Sequence, residues 1–98
     1  MAGDCYYRLP SEVDLDGRDK LRSELLELVN AGAGDLVVDC VHLEFIDSIG
    51  VAVIAQIRRL LAVHSRTLRL VNLSPQARRP FELLGLGEFL ELGEVEST

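Results

Sequence analysis

A carboxylate and a hydroxyl stand side by side at Asp47-Ser48, inside the run Leu43-Glu44-Phe45-Ile46-Asp47-Ser48-Ile49-Gly50-Val51. Here an apolar strand gives way to a helix after only a short turn. The N-terminal end of a helix gathers unpaired N–H groups and the positive pole of the helix dipole, so it favours anions, including a phosphate carried on a serine. Modification of the Ser48 hydroxyl is therefore the chemistry open to this segment. A structural duty competes with it, because Asp and Ser are preferred N-cap residues and a cap contributes about 1 kcal/mol with no function attached.

Nucleophilic catalysis would require Ser48 together with His42 or His64 as base. Ile46-Asp47-Ser48-Ile49-Gly50 lacks the first glycine of a nucleophile elbow, and neither histidine lies in a recognisable signature, so no enzyme activity is expected. Cys5 and Cys40 have no metal-binding or redox spacing; Cys40 falls within an apolar strand pattern, where a reduced thiol packs as a small hydrophobe. No metal or cofactor site is predicted. His64, near a helix C-terminus, reads as a favourable dipole partner.

Ninety-eight residues make a single domain, 1–98, large enough for one core but too small for an interdomain cleft. Apolar residues are 48% and charged residues 27%, the composition of a folded globule. There is no run of eighteen apolar residues, and Met1-Ala2-Gly3-Asp4-Cys5 is acidic where a signal peptide would be basic and then apolar. A cytoplasmic protein with no membrane insertion is expected. The net charge of −6 and the scarcity of aromatics argue against nucleic acid as a direct partner. That charge is segregated: residues 48–81 hold six arginines and no acid, while residues 82–98 hold five acids and no base. Arg58, Arg59, Arg66, Arg69, Arg78 and Arg79 either face solvent or face an acidic protein surface.

The elements that must position Ser48 follow from periodicity. Residues 5–9 read as a short strand ended by Pro10-Ser11. Leu21, Leu25, Leu28 and Val29 predict a helix over about 18–30, capped by Asp16 or Asp19. The run from Asp35 to Val41 is a dense β-branched strand, expected to be central and covered on both faces. A helix follows over about 48–64, apolar nearly all round through Ile57, and must be buried or present apolar surface to a partner. Residues 67–73 return as a strand, and Ser74-Pro75 opens a third helical stretch. Pro80 is expected to kink it or delay its start to about Arg79, with Gly85 as C-cap. Residues 89–92 form an edge-strand candidate. Such alternation implies a mostly parallel sheet with helices packed on it.

Four segments in this order resemble the STAS domain and, within it, the bacterial anti-sigma factor antagonists: Glu12-Val13-Asp14, the strand from Asp35 to Val41, the block Phe45-Ile46-Asp47-Ser48-Ile49-Gly50, and Leu70-Val71-Asn72-Leu73-Ser74-Pro75 followed by Phe81-Glu82-Leu83-Leu84-Gly85-Leu86. The resemblance spans about residues 6–92. It implies a small STAS-like α/β fold, a mostly parallel four- to five-stranded sheet with three to four helices. It also implies a switch without catalysis, in which the unphosphorylated protein binds an anti-sigma factor kinase so that a sigma factor is released. Phosphorylation of the serine ends that binding, and a PP2C-type, metal-dependent phosphatase resets it.

Carried over by residue, Ser48 is the phosphoacceptor, and Asp47, Ile49, Gly50 and Asp14 belong to the partner-binding surface, with Gly50 permitting close approach. The chain departs from the family at three places. Only eleven residues precede Glu12, so the N-terminal hairpin should be shortened; Ile49 stands where a second serine is frequent; and Ala52 stands where a glycine is common. The alternative carried by the same resemblance is a scaffold subunit of a stress-signalling or lipid-transport complex, used without phosphorylation.

Overall fold

The computed structural model describes residues 4–14, 16–83 and 95–96. In chain order the elements are β1 (Cys5–Arg8), β2 (Glu12–Val13), α1 (Arg18–Ala31), β3 (Leu36–Asp39), β4 (Phe45–Ile46), α2 (Ser48–Val63), β5 (Leu68–Val71), α3 (Pro75–Leu83) and β6 (Val95–Glu96). β1, β3, β5 and β6 form a sheet in that order, every pair parallel, and β2 and β4 form a separate parallel pair. This is the expected α/β class.

Strand β3 is central, flanked by β1 through Tyr7↔Val38 and by β5 through Val38↔Leu70. Leu36, Val37 and Val38 are all buried, as a β-branched run at the middle of a sheet requires. Side chains alternate across a strand, so Leu36 and Val38 enter the main core with Leu25, Ile54 and Leu70. Val37 lies on the second face, in a cross-strand row with Tyr6 and Arg69. Tyr6 is 71% exposed, so that face carries solvent-facing residues at the β1 edge.

Helix α1 does not use either of the expected caps. Its N-cap is Gly17, with no side-chain bond, and the turn before it is closed by Asp14, whose Oδ1 accepts from the Gly17 N–H at 3.2 Å. Asp19 instead pairs with Arg18 at 3.3 Å on the surface. At the other end, Arg66 donates from Nε to the Gly34 carbonyl at 2.7 Å and from Nη1 to the Val29 carbonyl at 2.9 Å, tying the end of α1 to the entry of β5.

The long apolar helix resolves in favour of burial, with Gly50, Val51, Val53, Ile54, Ile57 and Leu61 inside. It ends in a Schellman arrangement: Ser65 is left-handed at φ 59°, the Ser65 N–H donates to Ala62 and the Arg66 N–H to Leu61. Helix α3 runs unbroken through Pro80 from Pro75, so it begins earlier than the Arg79 alternative. Ser74 caps it, its Oγ accepting from the Ala77 N–H at 3.1 Å. Only β1 precedes β2 among the described residues, and it pairs in parallel with β3, so the expected shortened hairpin is replaced by a single parallel strand. The edge-strand candidate at 89–92 and the Gly85 cap lie outside the described residues.

Candidate functional site

Two residues of β4 decide where Ser48 stands. β4 pairs with β2 through Glu12↔Phe45 and Val13↔Ile46, and the Asp47 N–H donates to the Val13 carbonyl at 3.2 Å. Asp14 and Asp47 are thus the next residues on adjacent parallel strands, whose spacing is about 4.8 Å. Both chains then turn into helices. Sequence reading missed this pair, since two-residue strands are too short to show a period.

Asp47 is the N-cap of α2. Its backbone is extended, at φ −93° and ψ 178°, and its Oδ1 accepts from the Gly50 N–H at 2.9 Å. Ser48, the first helical residue, is exposed, and Ile49 is half-buried. The capping duty that competed for Ser48 is therefore discharged by Asp47, and the serine hydroxyl stands at the positive end of a sixteen-residue helix.

Gly50 is placed differently from its expected position on the binding surface. It is buried, and a Cβ built on it would stand 2.7 Å from Val13 Cγ1 and 2.8 Å from Ile46 Cγ1. The close approach it permits is that of α2 to the β2–β4 pair. Asp14, half-buried, spends its carboxylate on the turn into α1. Of the five residues gathered at the helix start, Asp14, Asp47 and Gly50 each support the local backbone, while Ser48 is exposed and Ile49 half-buried.

Ser48 stands between two grooves. One, of about 620 Å³, runs between α1 and α2 past Arg18, Arg22, Ala52, Gln56 and Arg59. The other, of about 420 Å³, lies between α2 and α3 and is lined by Gln76, Arg79, Pro80 and Leu83. Leu83 is 73% exposed at its rim. Arg22 comes to this site through the packing of α1 on α2, which no local signal in the sequence announces.

Neither histidine accompanies Ser48. His64 is the C-cap of α2, sixteen residues along the helix, or about 24 Å at 1.5 Å per residue. His42 lines a different cleft, of about 550 Å³, with Tyr7, Pro10, Lys20 and Leu21. A serine–histidine pair is absent at this site among the described residues. Burial, with a contribution from the nearby Asp39 charge, pushes the Cys40 thiol up to about 12, which suits a packing role. Among the described residues there is no cluster of three or more metal-ligating side chains, and no helix is long and apolar enough to cross a membrane.

At the carboxyl end of β3, Asp39 accepts from Asn72 Nδ2 at 2.9 Å, from the Val41 N–H at 3.0 Å and from Arg8 Nε at 3.2 Å. These bonds, led by that from Asn72, hold its carboxyl below the usual carboxylate range. Asn72 is itself left-handed at φ 61°, which asparagine tolerates better than most residues.

A parallel sheet crossing into helices, with a serine raised at one helix start above a glycine-seated turn, defines a STAS-type α/β domain. The chain belongs to the STAS family: a family model described as "Mlab, STAS domain" matches residues 4–93. The anti-sigma factor antagonist SpoIIAA in its unphosphorylated form is similar in structure, with a TM-score of 0.79 at 26% identity over 97% of this chain and 81% of that one. The phosphorylated form of the Bacillus cell fate determinant SpoIIAA matches at a TM-score of 0.70 and 24% identity, over 95% of this chain and 81% of that chain. Murine Slc26a9, an anion transporter, shares the fold at a TM-score of 0.78 and 17% identity; the match covers all of this chain and 17% of the transporter. No curated protein sequence matches significantly.

Proposed function

We propose that this chain is an anti-sigma factor antagonist whose unphosphorylated form binds an anti-sigma factor kinase, so that a sigma factor is released, and that phosphorylation of Ser48 ends the binding. One observation carries the reading: the Ser48 hydroxyl is exposed at the first position of α2 while Asp47 performs the capping. The similarity to unphosphorylated SpoIIAA supports it. In the proposed step Ser48 Oγ takes the γ-phosphoryl group of ATP, loses its proton and releases ADP. Hydrolysis by a PP2C-type phosphatase returns the serine and inorganic phosphate. A kinase that draws on ATP places this partnership in the cytoplasm.

Phosphorylation adds about −1.5 to −2 charges and three acceptor oxygens, which at a docked surface must be desolvated or repelled. A penalty of about 3 kcal/mol would weaken binding roughly 100- to 200-fold, enough to switch a partner without changing the fold. Mass spectrometry after incubation with the kinase and ATP should find the phosphate on Ser48. Ser48→Ala should bind that kinase constitutively; equal binding by Ser48→Ala and by phosphorylated wild type would refute the switch.

A second reading is favoured by the description of the matching family model, "Mlab, STAS domain". On it the same surface docks a partner as a scaffold subunit of a transport complex, without phosphorylation. Co-purification with transport components, unaffected by Ser48→Ala, would select this reading.

A further inference from the structure

Ser48 is bordered on both sides by arginine in a chain whose net charge is −6. Arg22 on α1 and Arg79 on α3 each line one of the two grooves that Ser48 also lines. The surface ion pairs Arg8–Asp39 and Arg18–Asp19 engage neither of them. Among acids, Asp19 lines the α1–α2 groove and is held by Arg18, while Asp14 and Asp47 spend their carboxylates on the Gly17 and Gly50 amides.

The fold sets both arginines on helices packed against α2. β2 and β4 are parallel, so α1 and α2 leave the same edge of that pair with their first turns side by side. Packed helices stand about 8–10 Å apart, a gap that an arginine side chain and a phosphate can cover together. Long helical side chains lean back toward their own N-terminus, which brings Arg22 down toward the level of Ser48. α3 packs on α2 and on β4, which sets Arg79 beside the same turn. Guanidinium groups hold phosphate through two parallel hydrogen bonds, a geometry a single carboxylate does not reproduce across two arginines.

We propose that phosphorylated Ser48 is clamped in cis by Arg22 and Arg79, so that the phosphate ties α1, α2 and α3 together. The inference rests on Ser48 being the phosphoacceptor. It gives the modification a double effect, since the phosphate adds negative charge and at the same time occupies two of the cations open to an acidic partner. It also accounts in advance for a weak effect of Ser48→Asp, which offers two guanidinium groups two acceptor oxygens and one charge in place of three oxygens and about −1.5 to −2 charges.

The test uses full-length protein carrying phosphoserine at position 48, installed co-translationally so that no kinase is needed. The second phosphate ionisation is followed by phosphorus NMR against pH in wild type, Arg22→Gln, Arg79→Gln and the double variant, with the unmodified proteins as stability baselines. Wild type should ionise below the ordinary value of about 6, each single variant should move back toward it, and the double variant should move furthest, keeping only the lowering that the helix N-terminus supplies. The phosphate should raise the melting temperature of wild type and not that of the double variant. Identical titrations in all four proteins would overturn the clamp. Absence of Ser48 phosphorylation by the kinase would be seen separately, in the mass spectrum of unmodified protein, and would overturn the switch instead.

Discussion

Gly50 lies so close to Val13 that a methyl group added at its Cα would stand 2.7 Å from Val13 Cγ1. The contact is with buried side chains, since Val13 and Ile46 are 2% exposed each and have no free space to retreat into. Gly50→Ala gains about 1 kcal/mol of helix propensity but overpacks a tight site, a change that costs about 1–3 kcal/mol. Net destabilisation is expected in urea titration, with binding lost in step because the first turn of α2 must shift. An unchanged or raised midpoint would show that α2 can move away without cost.

Asp47 separates cap from charge when two substitutions are compared. Asp47→Ala removes the bond to the Gly50 amide and should cost about 1 kcal/mol. Asp47→Asn keeps a capping oxygen and should retain nearly all of that stability, while removing the negative charge beside Ser48. If Asn behaves as wild type in binding and in phosphorylation, Asp47 serves the helix alone; a selective loss with Asn would assign the charge to the partner.

Val38→Asp should abolish folding. Val38 is fully buried on the central strand between Tyr7 and Leu70, and an unpaired buried carboxylate costs several kcal/mol against a total stability of about 5–15 kcal/mol. A cooperative thermal transition in the variant would contradict the central position of β3 in the sheet.

Ser65 adopts a left-handed backbone that costs a non-glycine residue about 1–2 kcal/mol. Ser65→Gly relieves this at the C′ position of α2, partly offset by the greater freedom of glycine in the unfolded chain. A gain of about 0.5–1 kcal/mol is expected by chemical denaturation, with no effect at Ser48, which lies at the other end of the helix.

Asp39 makes the acid limb of stability sensitive to Asn72. Its folded pKa is depressed, so its contribution is complete above the unfolded value of about 3.9 and is lost as pH falls through the lower folded value. Removing the strongest of its bonds by Asn72→Ala should move the carboxyl back up toward the ordinary value. Carbon-detected NMR titration of Asp39 reads this directly, and an unshifted midpoint would mean that Arg8 and the Val41 amide suffice.

The sequence by itself determined the elements with a long enough period to show one. The β-branched run from Leu36 to Val38 forced a buried strand, and the apolar repeat through Val51, Ile54, Ile57 and Leu61 forced a buried helix, because each pattern has one conformation that hides it from water. The Asp47-Ser48 pair likewise announced a helix start, since both residue types favour that position. What the sequence left open was the division of labour between them, which the extended Asp47 backbone and its bond to the Gly50 amide resolve. Tertiary structure alone decided the rest. The β2–β4 pair is two residues long on each side, too short to carry a local signal, yet its register sets Asp14 beside Asp47 and buries Gly50 against Val13. The same is true of Arg22 and Arg79, which lie twenty-six and thirty-one residues from Ser48 in the chain. Their approach to it depends on how three helices pack, and packing between distant segments leaves no trace in the spacing of either one.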